Sequence, residues 1–213
     1  MPGQRKILSS AFFYDTIAQD YDKYLQVADD QKVRDAVTKM MTSKIPQGVI
    51  LDFGGGTGLD LEWLSKRYTV YFLEPSAGMR AVAKERRIER ANAISFVEEH
   101  LDFTEWTESV LPVQVDGILA NFAVLNCIEN IPLLFNKLAL LTKPGSFLFA
   151  TVLDASFVNV LKNYSWKNAI KSLFAKVTIA SNYKDTGHTT YLHSLRDYEG
   201  AARNHFDFVS YEY

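Results

Sequence analysis

Residues 49–60 read Val-Ile-Leu-Asp-Phe-Gly-Gly-Gly-Thr-Gly-Leu-Asp, an apolar strand that runs straight into a glycine loop. The last strand residue but one is an acid, Asp52, and a helical pattern follows the loop. A loop of this kind lets the backbone approach a ligand more closely than side chains would allow. It points to a nucleotide-like cofactor held at the edge of an α/β sheet.

The rest of the chain supports such a sheet. Apolar runs at Gly48–Phe53, Val70–Leu73, Ile94–Val97, Val115–Ala120 and Ser146–Val152 read as strands. Leu61 and Leu64 lie on a helix that ends near Tyr68, and Ser76 is placed to cap a helix over Ala77–Arg87. Pro132 fits the first turn of a helix from Ile131 to Leu141, which Pro144-Gly145 stops. Strands alternating with helices predict a Rossmann-like, doubly wound α/β fold with a mostly parallel sheet and helices on both faces. Right-handed crossovers then put the glycine loop at a topological switch point.

At 213 residues the chain reads as one domain. Its parts are an N-terminal helical cap (1–45), a cofactor-binding core (46–154), an aromatic cap insertion (155–193) and a C-terminal helix and strand (194–213). In the first part, residues 10–25 and 30–42 are amphipathic. In the insertion, helices are expected over 155–176, a turn at Asp185-Thr186-Gly187 and a strand at Thr189–His193. Ser194-Leu195-Arg196-Asp197 is a capping-box variant before a helix to about Asn204, and Phe208–Tyr213 reads as a last strand. An exposed final strand suggests pairing, including with a second copy of the chain.

The formal net charge of −2 carries no basic excess of the kind nucleic-acid binders show. The run Arg80, Lys84, Arg86, Arg87 and Arg90 reads as a solvated helix face. Cys127 is the one cysteine, so no intrachain disulfide forms, and no apolar stretch is long enough to span a bilayer. These features fit a cytoplasmic protein without a membrane partner. The four histidines and the cysteine show no metal-ligand spacing.

The loop departs from the dinucleotide fingerprint G-x-G-x-x-G: its glycines are Gly54, Gly56 and Gly58, with Leu59 at the third fingerprint position. Asp52 and Asp60 flank it, and two acids disfavour a diphosphate at a helix N-terminus. Glu74, at the end of the second strand, is placed to accept hydrogen bonds from ribose hydroxyls. The pattern describes an adenosine-type ligand with a cationic, phosphate-free tail.

Asp52–Gly58 resembles the first motif of the class I S-adenosylmethionine-dependent methyltransferases, in particular their small-molecule branch. Glu74-Pro75-Ser76-Ala77-Gly78-Met79 resembles the second motif, Leu101-Asp102-Phe103 the adenine segment, and Asp116–Phe122 the fourth motif. Leu141–Phe147 resembles the turn into strand five, and Phe13–Asp22 the segment that folds over the cofactor. The resemblance implies S-adenosylmethionine as cofactor. It sets Asp52 against the methionine amino group, Gly54 and Gly56 under the ligand, Glu74 on the ribose and Met79 near the adenine. Asp102 would accept from the adenine amine with Phe103 beside the ring, Asn121 and Phe122 would sit near the sulfonium, and Tyr14 and Tyr21 would close the site.

The implied reaction is in-line methyl transfer to an O, N or C atom of a small molecule. Alternatives are an RNA or protein acceptor, or a non-catalytic S-adenosylmethionine-binding regulator. The stretch Ala120–Val124 lacks the acidic or amide-Pro-Pro-aromatic pattern of enzymes that methylate nucleic-acid amines, and Cys127 reads as a small buried residue. Candidate general bases are His188 and His193, with His100 and Glu99 weaker. Family sheets end with a sixth strand and an antiparallel seventh, whereas one helix and one strand follow Ser194. Either Thr189–His193 substitutes for the seventh strand, or the strand is missing, or the chain stops before it.

Overall fold

The computed structural model describes residues 6–24, 28–153, 155, 160, 162, 167–168, 177–183 and 185–209. The core begins at β2 (Gly48–Phe53), whose last four residues are buried, as an apolar strand covered on both faces must be. The glycine loop leads to α4 (Leu61–Arg67), β3 (Tyr68–Leu73), α5 (Ala77–Glu85) and β4 (Ile94–Val97). Then follow β5 (Val115–Ala120), α6 (Ile131–Leu141) and β6 (Thr142–Ala150). The strands pair in the order β4-β3-β2-β5-β6, all parallel. The order reverses between β2 and β5, so the switch point lies where the glycine loop and the residues after Ala120 leave the sheet.

Alternate residues of the central strands face opposite layers. Leu51, Phe53 and Ile118 pack with Leu134, Leu138 and Leu141 of α6, while Ile50, Phe72 and Leu119 pack with Met41, Leu61 and Leu64. The second layer includes α3 (Ala28–Lys44), which spans more than the expected 30–42. In α6, the Asn130 side chain accepts from the Leu133 amide at 3.1 Å and Pro132 occupies the first turn, so the helix starts where sequence places it. Its five buried apolar residues each contribute about 1.5–3 kcal/mol.

Boundaries shift where neighbours override the local pattern. β3 starts at Tyr68, directly after α4: Tyr68 pairs with Gly48 of β2, and its hydroxyl donates to the Ile45 carbonyl at 2.6 Å. β6 starts at Thr142, where Thr142 pairs with Val115 across a register shift. α5 stops at Glu85, and Arg86 turns inward to donate to the Thr57 carbonyl and the Asp22 carboxylate. Lys84, Arg87 and Arg90 of the basic run stay exposed, whereas Arg86 is drawn inward. Arg80 and Arg90 also donate to backbone carbonyls, of Glu74 and Lys66, and Lys84 pairs with Glu98.

Before the core lie β1 (Lys6–Ile7), α1 (Ser10–Ile17) and α2 (Tyr21–Tyr24). After it, β7 (Val177–Tyr183) and β8 (Thr186–Leu192) form an antiparallel pair, and β1 adds in parallel to β8. Thr186 and Gly187 belong to β8 rather than to a turn, and Thr189–Leu192 continue it. This three-stranded sheet is separate from the core sheet, so β8 does not substitute for a seventh strand. The helices expected over 155–176 fall mostly outside the described residues. Ser194 and Asp197 form the expected reciprocal capping box, and α7 (Leu195–Ala202) follows. Phe208 and Val209 are in no strand, and 210–213 lie outside the described residues.

Candidate active site

A cleft of about 1020 Å³, including its open mouth, lies over the switch point. Its floor is the glycine loop. The Gly54 amide donates to the Leu73 carbonyl at 2.7 Å, tying the loop to the end of β3. Gly54 has φ +70°, and a Cβ there would meet Val124 Cγ1 at 2.4 Å. At Gly56, φ +58°, a Cβ would meet only Tyr21 Cε1, at an ordinary contact distance of 3.8 Å. The first glycine is thus needed for packing and the second leaves bare backbone toward the cleft.

Carboxylates crowd this floor. Asp52 is 2% exposed at the central strand's end, and its Oδ2 has no hydrogen-bond partner. Burial, then the charges of Asp60 and Glu74, push its pKa well above the usual carboxylate range, against Arg34. Glu74 accepts from the Ser76 amide at 2.7 Å and the Gly56 amide at 2.9 Å. Burial raises its pKa, and those two amides offset part of the rise. Asp60 accepts from Trp63 Nε1 at 2.9 Å and Asn121 Nδ2 at 3.1 Å, and pairs with Arg34 at 2.5 Å. The Arg34 guanidinium lies 4.3 Å from the Phe122 ring centroid. An unpartnered buried carboxylate oxygen among other acids, beside bare backbone, fits a ligand that brings a cationic amine.

The N-terminal helices form a strap over the cleft, and two acids fasten it. Asp15 accepts from the Ser76 hydroxyl at 2.6 Å and the Gly78 amide at 2.8 Å. Asp22 accepts from the Thr57 hydroxyl at 2.5 Å and pairs with Arg86. Tyr14 and Tyr21 meet edge to face at 5.8 Å, and the Tyr14 hydroxyl lies 3.8 Å from Cys127 Sγ. Burial first, then neighbouring charges, raise both phenols, and burial likewise raises the Cys127 thiol.

The far wall is strained. Phe122 and Ala123 both take left-handed backbone, at φ +55° and +62°. Each such residue costs about 1–3 kcal/mol and persists only where its surroundings hold it. Here Thr151 Oγ1 accepts from the Phe122 amide at 2.6 Å, and the Thr151 carbonyl accepts from the Ala123 amide at 2.9 Å. Further on, buried Asn126 accepts from the Leu153 amide and donates to the Tyr191 carbonyl at 2.7 Å. His193 Nε2 lies 2.8 Å from the Ile128 carbonyl, which makes that nitrogen the donor. The wall is thereby joined to β8 and its end.

Of the residues singled out from sequence, Tyr14, Tyr21, Asp52, Gly54, Gly56, Glu74, Met79, Phe103 and Asn121 line this one cleft. Asp102 does not. Its exposed carboxylate accepts from the Thr104 amide at 2.9 Å and hydroxyl at 2.7 Å, capping a short turn, and these bonds lower its pKa. His188 and His193 are buried behind the wall rather than on it. The His188 ring packs 4.5 Å from Phe13 and 5.3 Å from Tyr14, and burial lowers its pKa. Glu99 and His100 also lie off the wall, and the His100 carbonyl accepts from Trp106 Nε1 at 2.6 Å. Arg34, Ser10 and Ile128 are wall residues that sequence reasoning missed. Arg34 sits in an amphipathic helix whose pattern marks only its apolar face. Among the described residues, no group of three or more His, Cys, Asp or Glu could hold a metal ion. No described helix is long and apolar enough to cross a membrane.

The sequence matches the model of the methyltransferase domain family over residues 21–210. The chain belongs to this family. An uncharacterised methyltransferase of Bacillus cytotoxicus is 31% identical over 159 residues, 68% of this chain and 67% of that protein. Among solved structures, a complex of DhpI with SAH shares the fold at a TM-score of 0.66 and 17% identity, covering 92% of this methyltransferase and 85% of DhpI. The glycopeptide N-methyltransferase MtfA, complexed with S-adenosyl-L-homocysteine, aligns at a TM-score of 0.61 and 13% identity, over 82% and 79% of the two chains.

Proposed function

We propose that this methyltransferase takes the methyl group of S-adenosylmethionine and delivers it to a small-molecule acceptor under the N-terminal strap. The observation that carries the reading is the unpartnered Asp52 oxygen, buried against Gly55 of the glycine loop, where a Cβ would meet it at 2.6 Å. Fold neighbours solved with SAH or SAM support it. Asp52 would take the methionine ammonium and Arg34 the carboxylate. Glu74 would accept from the ribose diol, its oxygens keeping further lone pairs beside the two amides. Met79, Leu101 and Phe103 would bracket the adenine, with Asp102 outside the wall as it stands.

When bound, the sulfonium supplies an already activated methyl group, so the protein's own task is alignment and exclusion of water. Orientation alone contributes on the order of 7–11 kcal/mol to such displacements. Asn121 and the constrained Phe122 would fix the donor end, while Tyr14 and Tyr21 cover the acceptor. Coverage by a strap fastened at Asp15 and Asp22 favours a small acceptor over a macromolecule.

A thermal-shift titration with S-adenosylhomocysteine, beside NAD, tests the cofactor. At a hundredfold excess over Kd, binding stabilises by about 2.7 kcal/mol, a shift of roughly 5–10 °C for a chain of this size. Asp52→Ala and Glu74→Ala should each lose most of that shift. No shift, or a larger one with NAD, would sink the reading.

A further inference from the structure

The cleft has a charge imbalance that the cofactor alone does not cancel. Asp52, Asp60 and Glu74 line it against a single guanidinium, Arg34, which is already paired with Asp60. S-adenosylmethionine brings two positive groups and one negative, so its arrival still leaves the formal balance negative. The field reaches the strap side, because Glu74 acts electrostatically on Tyr14, Tyr21 and Cys127. An anion entering there meets net repulsion, strengthened by the low dielectric of a covered cleft.

The wall outside the cofactor residues includes Ser10, Ala11, Tyr14, Val124, Cys127 and Ile128. None carries a charge. Burial keeps the Tyr14 phenol and the Cys127 thiol protonated, so neither is a base. His188 stands behind Ser10, with Nδ1 3.4 Å from the Ser10 hydroxyl and 3.1 Å from the Thr189 carbonyl. The carbonyl fixes Nδ1 as the protonated nitrogen, so that atom cannot take a proton through Ser10. An alcohol or phenol acceptor would need such a base. A carboxylate needs none but enters as an anion. An uncharged amine needs neither a base nor a counter-cation.

Resting on the S-adenosylmethionine reading above, we propose that the acceptor is a small molecule bearing an amine or ring nitrogen, held against Tyr14 and Cys127. The nitrogen lone pair forms the new bond to the methyl carbon. The C–S bond breaks with its electron pair kept by sulfur, and positive charge passes from sulfur to nitrogen. A proton on that nitrogen then leaves to water. Until that proton leaves, the positive charge stays among the same carboxylates and the Tyr14, Tyr21 and Phe122 rings.

The test is calorimetric titration of the S-adenosylhomocysteine complex at neutral pH with a ring-matched pair, aniline, which is uncharged there, and benzoate. The proposal expects aniline to bind at least tenfold more tightly. Equal binding, tighter benzoate, or failure of both would overturn it. Titration of the free protein with S-adenosylhomocysteine is run first. If that ligand fails to bind, the cofactor reading has failed; if it binds and the amine preference is absent, only the acceptor assignment has.

Discussion

Asp15 on the strap sets one carboxylate oxygen 2.8 Å from the Gly78 amide, inside the first turn of α5. The same oxygen accepts from the Ser76 hydroxyl, and Ser76 in turn caps α5 by accepting from the Met79 amide at 3.1 Å. A residue from one element thus completes the cap of another, and the strap and the ribose-side helix are held together. The cap also places Met79 in the cleft wall. Asp15→Ala should cost about 0.5–2 kcal/mol, the range for losing a cap. It should also weaken S-adenosylhomocysteine binding, while Asp15→Asn, which keeps an acceptor oxygen, should recover most of both. Urea unfolding and calorimetry on the two variants check this.

Asp52 makes a pH-dependent prediction. Its folded pKa is raised above the unfolded value, so its contribution favours folding below the ordinary carboxylate range and is lost as pH rises through the folded pKa. As pH rises from the ordinary carboxylate range toward the folded pKa, keeping this unpartnered carboxyl buried costs the ligand-free chain progressively more. Asp52→Asn should therefore raise the urea midpoint at pH 8, and raise it less at pH 5. The same variant should lose S-adenosylhomocysteine affinity at least tenfold. A midpoint at pH 8 lower than that of the unaltered protein would contradict the burial argument.

Asn126 tests whether the cap sheet holds the far wall. Its side chain serves the Leu153 amide and two carbonyls, and it is fully buried. Asn126→Leu keeps the volume but orphans these groups, each at about 1–3 kcal/mol. The melting temperature should fall by several degrees, and acceptor KM should rise more than cofactor Kd, because the adjacent Cys127 and Ile128 face the acceptor side. Parallel changes in both constants would argue for general loosening instead.

The core was legible because its signals are local. A buried parallel strand announces itself by composition, as in Val49–Phe53, and α6 starts at Asn130 and Pro132, although it ends at Leu141 and Pro144-Gly145 fall inside β6. The floor of the cleft was legible for the same reason, since loop glycines and strand-end acids sit within a few positions of each other. What sequence did not give depends on distant pairings. β7 reads Val-Thr-Ile-Ala-Ser-Asn-Tyr, a weakly apolar run that becomes a strand by pairing with β8. Asp102 carries the right residue type next to Phe103, yet Thr104 turns its carboxylate outward. Tyr14 and Cys127 meet across 113 positions, a contact no spacing rule reveals.

Arg34 is the plainest example and gives the last prediction. It lies on α3 and pairs with Asp60, both side chains being about nine-tenths buried, at 11% and 9% exposure. It also covers the face of Phe122, whose left-handed backbone needs support. Removing one partner of a buried pair leaves the other uncompensated, at about 3–5 kcal/mol. Arg34→Met should therefore destabilise strongly at pH 8, where Asp60 loses its cation beside Asp52. The loss should shrink toward pH 5, as Asp52 and Glu74, whose pKa values burial raises, take up protons. Arg34→Lys keeps the charge but gives up the planar face over Phe122 and the fork geometry. It should restore most of the stability but little of the cofactor affinity, and melting curves with and without S-adenosylhomocysteine separate the two effects. If Arg34→Lys binds S-adenosylhomocysteine as well as the unaltered protein, the guanidinium serves the site only as a charge.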